Sequence, residues 1–133
     1  MSFRFTVSDV IPASPREIYD AWLDSRAHSK MTSGKAVTSA EVGAAFTAWD
    51  GYITGTNLEL APGMRIVQSW RTTEFAKADP DSKITVSLKP VKGGTKLTML
   101  HTKVPNGHTG YRSGWSQSYF EPMKAYFGKA KRR

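Results

Sequence analysis

The sequence predicts an α+β domain in which a curved antiparallel sheet of about six to seven strands wraps a long C-terminal helix, with one or two short helices after the first strand. Three observations carry that expectation. Within 109–127, Tyr111, Trp115, Tyr119, Met123, Tyr126 and Phe127 recur at helical spacing, while Ser113, Ser116, Gln117, Glu121 and Lys124 fall largely off that stripe. Before it come runs of period-two alternation separated by turn signals. Nothing helical separates the later runs, which disfavours parallel crossovers and favours a meander of hairpins with helices on one face. Because the stripe is mostly aromatic, the helix carries a larger apolar payload than a small core needs. A long helix of this kind across a curved sheet leaves a cavity along its length.

Residues 3–11 alternate, with Phe3, Phe5, Val7 and Ile11 on one face and Arg4, Thr6 and Ser8 on the other, as a half-buried strand does. Pro12 ends it. Ser14-Pro15-Arg16-Glu17 is a capping box with proline at the first helical position. Ile18, Tyr19, Ala21, Trp22 and Leu23 supply the buried face of a short helix to about Ser25. The stretch 26–35 reads as polar and irregular, with Met31 its large apolar group. Strands are expected at 36–42 and 45–49, then a two-residue turn at Asp50-Gly51. In the returning strand 52–60, Tyr52, Thr54, Thr56, Leu58 and Leu60 share a face. Ala61-Pro62-Gly63 turns into 64–72, where Ile66, Gln68 and Trp70 share a face. A polar loop leads to 83–91, with Ile84, Val86 and Leu88 inward, and Lys92-Gly93-Gly94 closes a hairpin into 95–104. Pro105-Asn106-Gly107 ends the sheet. Pro122 lies inside the final helix, where it removes one backbone hydrogen bond and should kink it.

At 133 residues the chain is read as one domain, 1–133, without repeats or linkers. It has no cysteine, so neither a disulfide nor a thiol nucleophile is available, which fits a reducing compartment. No apolar run approaches a membrane span, and MSFRFTVSDV alternates instead of forming a signal-peptide core. The expected location is the cytoplasm. The net charge is +8, from 19 basic and 11 acidic residues, which attracts acidic partners. The basic residues are dispersed apart from Lys129, Lys131, Arg132 and Arg133, and the aromatics do not interleave with that tail, so nucleic acid is disfavoured.

With these elements placed, the chain resembles the Hsp90 ATPase activator homologue family of the SRPBCC (START-like, birch-pollen-allergen-like) helix-grip superfamily. The resemblance runs over nearly the whole length. Its markers are Ser14-Pro15 with 18–22 (IYDAW), 42–46 (VGAAF), Gly55 with 59–62 (ELAP), 66–71 (IVQSWR) and 94–98 (GTKLT). Most specific is the end: 102–105 (TKVP), Gly114-Trp115, Tyr119-Phe120, Met123-Lys124 and Phe127-Gly128. That run is similar to the C-terminal domain of the eukaryotic co-chaperone that stimulates the heat-shock chaperone's ATPase. The co-chaperone's separate N-terminal domain has no expected counterpart within these residues.

Candidate chemistry is sparse. There is no G-x-S-x-G elbow, and no serine has an evident histidine and carboxylate partner. His28, His101 and His108 lack ligand spacing, so no metal and no cofactor is expected. Glu41, Glu59 and Glu74 show no paired partner. Trp49, Tyr52, Trp70, Trp115 and Tyr119 are the rings expected to face the groove, with Met99 in its wall and His101 a polar contact. The expected function is non-enzymatic binding of a hydrophobic or aromatic small molecule between sheet and C-terminal helix. The resemblance implies an alternative, a co-chaperone-like protein that binds a heat-shock protein 90 chaperone and stimulates its ATPase. A second alternative is a cyclase or hydrolase using the same cavity.

Overall fold

The computed structural model describes the backbone of residues 2–131 and the side chains of 2–128; Arg132 and Arg133 of the basic tail lie outside the described residues, as do the side chains of Lys129 and Lys131. Strands β1 (Ser2–Ile11), β2 (Ala45–Ala48), β3 (Ile53–Ala61), β4 (Arg65–Thr72), β5 (Ser82–Val91) and β6 (Gly94–Pro105) form one antiparallel sheet. Its order is β1-β6-β5-β4-β3-β2. Two short helices, α1 (Pro15–Trp22) and α2 (Ser25–Thr32), follow β1. The C-terminal helix runs from α3 (Tyr111–Trp115) through a π turn (Ser116–Phe120) into α4 (Glu121–Lys131). This is the helix-grip arrangement that the sequence predicts. Among the described residues no helix is long and apolar enough to cross a membrane.

The alternation read from the sequence sets the inner face. Ile66, Gln68 and Trp70 of β4, Ile84, Val86 and Leu88 of β5, and Leu97, Met99 and His101 of β6 are all buried. Against them pack Ile18, Tyr19 and Trp22 of α1, Met31 of α2, and Trp115, Tyr119, Phe120, Met123 and Phe127 of the C-terminal helix. The capping box at α1 is closed in both directions: Ser14 Oγ accepts from Glu17 N (3.1 Å), and Ser14 N donates to Glu17 Oε1 (2.9 Å). Lys124 ties α4 to β1 through Asp9 (3.0 Å).

Five local expectations change. The stretch 36–42 is not a strand; Val37 makes an isolated bridge to Thr47, and Val37 and Val42 are exposed. The stretch 26–35 is largely helical, because Asp24 caps α2 by accepting from Ala27 N (2.8 Å). The Ser25 and Ser29 hydroxyls of α2 then bond the backbone of Thr38 and Ala36, satisfying an extended segment that a sheet does not. In β3 the buried face is the one opposite to that expected, with Ile53 and Asn57 buried and Leu58 exposed, and a register shift follows between Asn57 and Glu59. The turn after β2 spans four residues, since Ala48 pairs with Ile53. Trp49, Asp50 and Gly51 all have positive φ there (52°, 58° and 91°).

The fifth change concerns Pro122. Pro122 has no N–H to give Ser118 O, and the residue before it, Glu121, donates to Ser116 O, an i to i−5 bond that places a π turn ahead of the ring. The extra residue in that turn rotates Tyr119 and Phe120 so that both are buried.

Candidate functional site

Between α3, the π turn and the far half of the sheet lies a cleft of about 770 Å³. Its walls are Trp49, Tyr52, Trp70, Tyr111, Trp115 and Tyr119, and the loop through Gly107 and His108 forms part of its mouth beside Glu74. Of the seven residues expected at the site, five line the cleft: Trp49, Tyr52, Trp70, Trp115 and Tyr119. Met99 and His101 are fully buried and do not reach its surface. Alternation placed both on the correct face, but Trp70 and Trp115 lie over His101 at ring distances of 4.7 and 5.9 Å.

His101 lies buried beneath the floor and is hydrogen-bonded through both ring nitrogens. The Trp115 indole N–H, which can only donate, gives to His101 Nδ1 (3.1 Å). Ser82 Oγ donates to Trp70 O (2.7 Å), so its remaining contact, His101 Nε2 at 2.8 Å, must be donor to it. Hydrogen bonding therefore assigns a neutral ring protonated at Nε2. Burial agrees, pushing the His101 pKa down to about 3.

His28 is held in the opposite tautomer. Its Nδ1 donates to Trp22 O (2.8 Å), leaving Nε2 to accept from the Tyr119 hydroxyl (3.0 Å). Burial lowers the His28 pKa, outweighing the opposing bond to the Trp22 carbonyl, and raises that of Tyr119. Trp22 completes this floor, with Trp115 at 6.4 Å and Tyr119 at 5.1 Å, and its indole N–H donates to Gln68 Oε1 (3.3 Å). Gln68 passes the chain on to Asn57 Oδ1 (2.8 Å), and Asn57 Nδ2 donates to the carbonyls of Ser39 and Glu41.

The mouth is built from loops. Tyr52 follows the turn after β2, and its hydroxyl donates to Glu74 Oε2. Burial, then that carboxylate, pushes the Tyr52 pKa up to about 12. Tyr111 begins α3 and its hydroxyl meets Thr72 Oγ1 (2.7 Å) and His108 Nδ1 (3.1 Å). Burial raises the Tyr111 pKa. Trp49 holds a left-handed backbone that bulky residues rarely adopt, with its ring against Gly34, where a Cβ would come within 2.5 Å of Cε3. Its indole N–H lies close enough to the Tyr119 hydroxyl to offset part of the burial effect there, yet it closes no hydrogen bond and is itself enclosed.

Three residues of the mouth were not anticipated: Glu74, His108 and Tyr111. The hairpin register holds the missing signal for the first, since Ile53 pairs with Thr72 and Thr73 N bonds Tyr52 O (3.0 Å), which brings Glu74 beside Tyr52. Among the described residues the cleft offers ring faces, phenol groups, the His108 imidazole and one carboxylate. Ser118 and Thr109, its other hydroxyls, have no histidine or carboxylate partner among the described residues. No cluster of three or more His, Asp and Glu side chains able to hold a metal occurs among the described residues.

Comparison with known proteins gives a consistent result. A family model described as "Activator of Hsp90 ATPase homolog 1-like protein" matches residues 12–128. The "Activator of 90 kDa heat shock protein ATPase homolog" of Dictyostelium discoideum is 27% identical over 119 residues, covering 86% of this chain and 30% of the relative. The mouse (Mus musculus) protein "Activator of 90 kDa heat shock protein ATPase homolog 2" is 23% identical over 119 residues, covering 89% of this chain and 36% of its own length. The chain thus spans about a third of the curated relatives it matches. The crystal structure of an HSP90 activator from Plasmodium falciparum superposes with a TM-score of 0.84 at 24% identity, covering 95% of this chain and 96% of that one.

Proposed function

The chain belongs to the family of activator of Hsp90 ATPase homolog 1-like proteins, and from that premise we propose that it is a cytoplasmic, non-enzymatic domain that binds a small hydrophobic or aromatic molecule in the cleft. One observation carries the reading: about 770 Å³ stays open although the surrounding rings pack closely on one another. Ligand sites typically enclose roughly 300–1,000 Å³ with apolar walls and a few polar groups. The polar groups here bond to one another, Tyr52 with Glu74 and Tyr111 with Thr72 and His108, an arrangement suited to orienting a ligand. No nucleophile with its base stands among the lining residues, which supports binding over catalysis. Native mass spectrometry of the freshly purified protein should reveal a co-purified small molecule, released on denaturation. An empty protein, with a thermal midpoint unmoved by a panel of aromatic and alkyl compounds, would remove this reading.

A second reading, favoured by the family and by its named relatives, is contact with a heat-shock protein 90 chaperone. The outer face of the sheet supports it. Lys83, Lys89 and Lys96 point outward, and Lys89 pairs directly with Lys96, a like-charge register that costs stability and suits an acidic partner. Binding to the cognate chaperone should weaken as salt rises. The absence both of binding at low salt and of any change in the chaperone's ATPase rate would exclude it.

A further inference from the structure

The charges around the cleft narrow the class of molecule it takes. We propose, resting on the ligand-binding reading above, that the cleft selects a hydrophobic cation: an aromatic or alkyl body carrying an ammonium head. Neutral and anionic molecules of the same shape bind less well.

The sign of the cleft is the first ground. The chain has 19 basic and 11 acidic residues, yet among the described residues the cleft is lined by no lysine or arginine, and its one carboxylate there is Glu74 at the mouth. Arg71, the arginine on β4 just before this wall, is turned to Asp81 (2.7 Å) and lies over the Phe75 ring (5.3 Å). The local field is thus opposite to that of the molecule as a whole.

The second ground is the walls. Trp49, Tyr52, Trp70, Tyr111, Trp115 and Tyr119 surround the space, and aromatic faces carry the negative end of a quadrupole that attracts cations. An anion would meet those same faces together with a carboxylate. The Trp49 indole N–H, without a hydrogen-bond partner, is enclosed and so cannot serve an anionic ligand.

The third ground is the state of Glu74. Its carboxylate can accept up to about four hydrogen bonds, and among the described residues its side chain receives one, from Tyr52. That leaves lone pairs at the mouth for an ammonium group, with the apolar body of the ligand directed onto Trp70 and Trp115.

Three probes of matched length test this: 4-phenylbutylammonium, its neutral carbon isostere pentylbenzene, and 5-phenylpentanoate, each titrated into the intact protein by calorimetry. The cation should bind about tenfold or more tighter than the neutral isostere, the gain expected of one desolvated cation–ring contact, with the anion weakest. Net charge alone predicts the reverse order, so the result is not an effect of overall basicity. Glu74→Gln, an exposed substitution, should weaken the cation several-fold and leave the isostere unchanged. Equal binding of all three probes, or a preference for the anion, overturns the cation proposal and leaves the cleft a ligand site. Failure of all three to bind removes both. A cation preference unaltered in Glu74→Gln overturns the part assigned to the carboxylate.

Discussion

At the floor of the cleft, Trp115 and Tyr119 are 3% and 4% exposed, and their polar atoms are held by His101 and His28 in fixed tautomers. At the mouth, Tyr52, Tyr111 and Trp49 are half-buried, come from turns and a helix start, and include a left-handed tryptophan with an unpartnered N–H. Both regions are aromatic and stand side by side on the same cleft. The floor is closed by directional bonds between elements far apart in the chain, so its rings are needed for the fold itself. The mouth has bonds mostly among its own residues, with Tyr111 to Thr72 its tie from helix to sheet, and its rings are only partly buried. Stability and recognition are therefore expected to separate along this line.

The largest expected effect is at the floor. Trp115→Ala removes a buried indole and strands the acceptor His101 Nδ1, so it should lower unfolding free energy by about 3–5 kcal/mol in urea titrations. A loss below about 1 kcal/mol would place Trp115 with the mouth instead.

Next comes pH. Both buried histidines have folded pKa values below the unfolded value of about 6.5, His101 at about 3. The unfolded chain therefore takes up protons first as pH falls. Stability is full above pH ~6.5 and is lost on acidification toward pH ~3, at up to about 1.4 kcal/mol per pH unit for each histidine. In His101→Asn the slope measured between pH ~6 and ~5 should fall by about that single-histidine amount. Parallel curves for the two proteins would mean that His101 is not held neutral.

Tyr119→Phe keeps the ring but takes the donor from His28 Nε2, a fully internal contact. The cost should be about 1–3 kcal/mol, the penalty of an unsatisfied buried acceptor. Its ring packing with Trp115 at 4.9 Å remains, so the cleft's shape should persist and probe binding should change less than stability does.

How far the sequence spoke for each region follows the same division. Strand alternation is local, which is why the inward residues of β1, β4, β5 and β6 and the capping box at Ser14 were legible. The segment 25–32 carries no apolar stripe beyond His28 and Met31, and its helix depends on the Asp24 cap and on serine bonds to a later loop. The β3 face was misread because Thr54, Gly55 and Thr56 give no apolar alternation, so the buried side, with Ile53 and Asn57, is set by packing against the rest of the fold. Of the site, alternation gave the side of the sheet for Met99 and His101 but not their depth, which is fixed by rings from β4 and the C-terminal helix. The mouth residues Glu74, His108 and Tyr111 meet only through hairpin register and the return of the chain from β6 to α3, a long-range fact that no local pattern encodes.

The smallest expected effect on stability is at the mouth. Tyr52→Phe removes the hydroxyl that holds Glu74 but leaves the ring, and the carboxylate so released is exposed and returns to water without penalty. Unfolding free energy should therefore stay within about 0.5 kcal/mol of the parent, as for other surface changes. What should change is recognition. A carboxylate no longer pinned beside the rings has more freedom to lose on meeting a ligand, so affinity for the cationic probe should fall while the neutral isostere is unaffected. A stability loss matching that of Tyr119→Phe would show the two regions to be one cooperative unit, and the cleft's opening would then be a gap in the packing rather than a binding mouth.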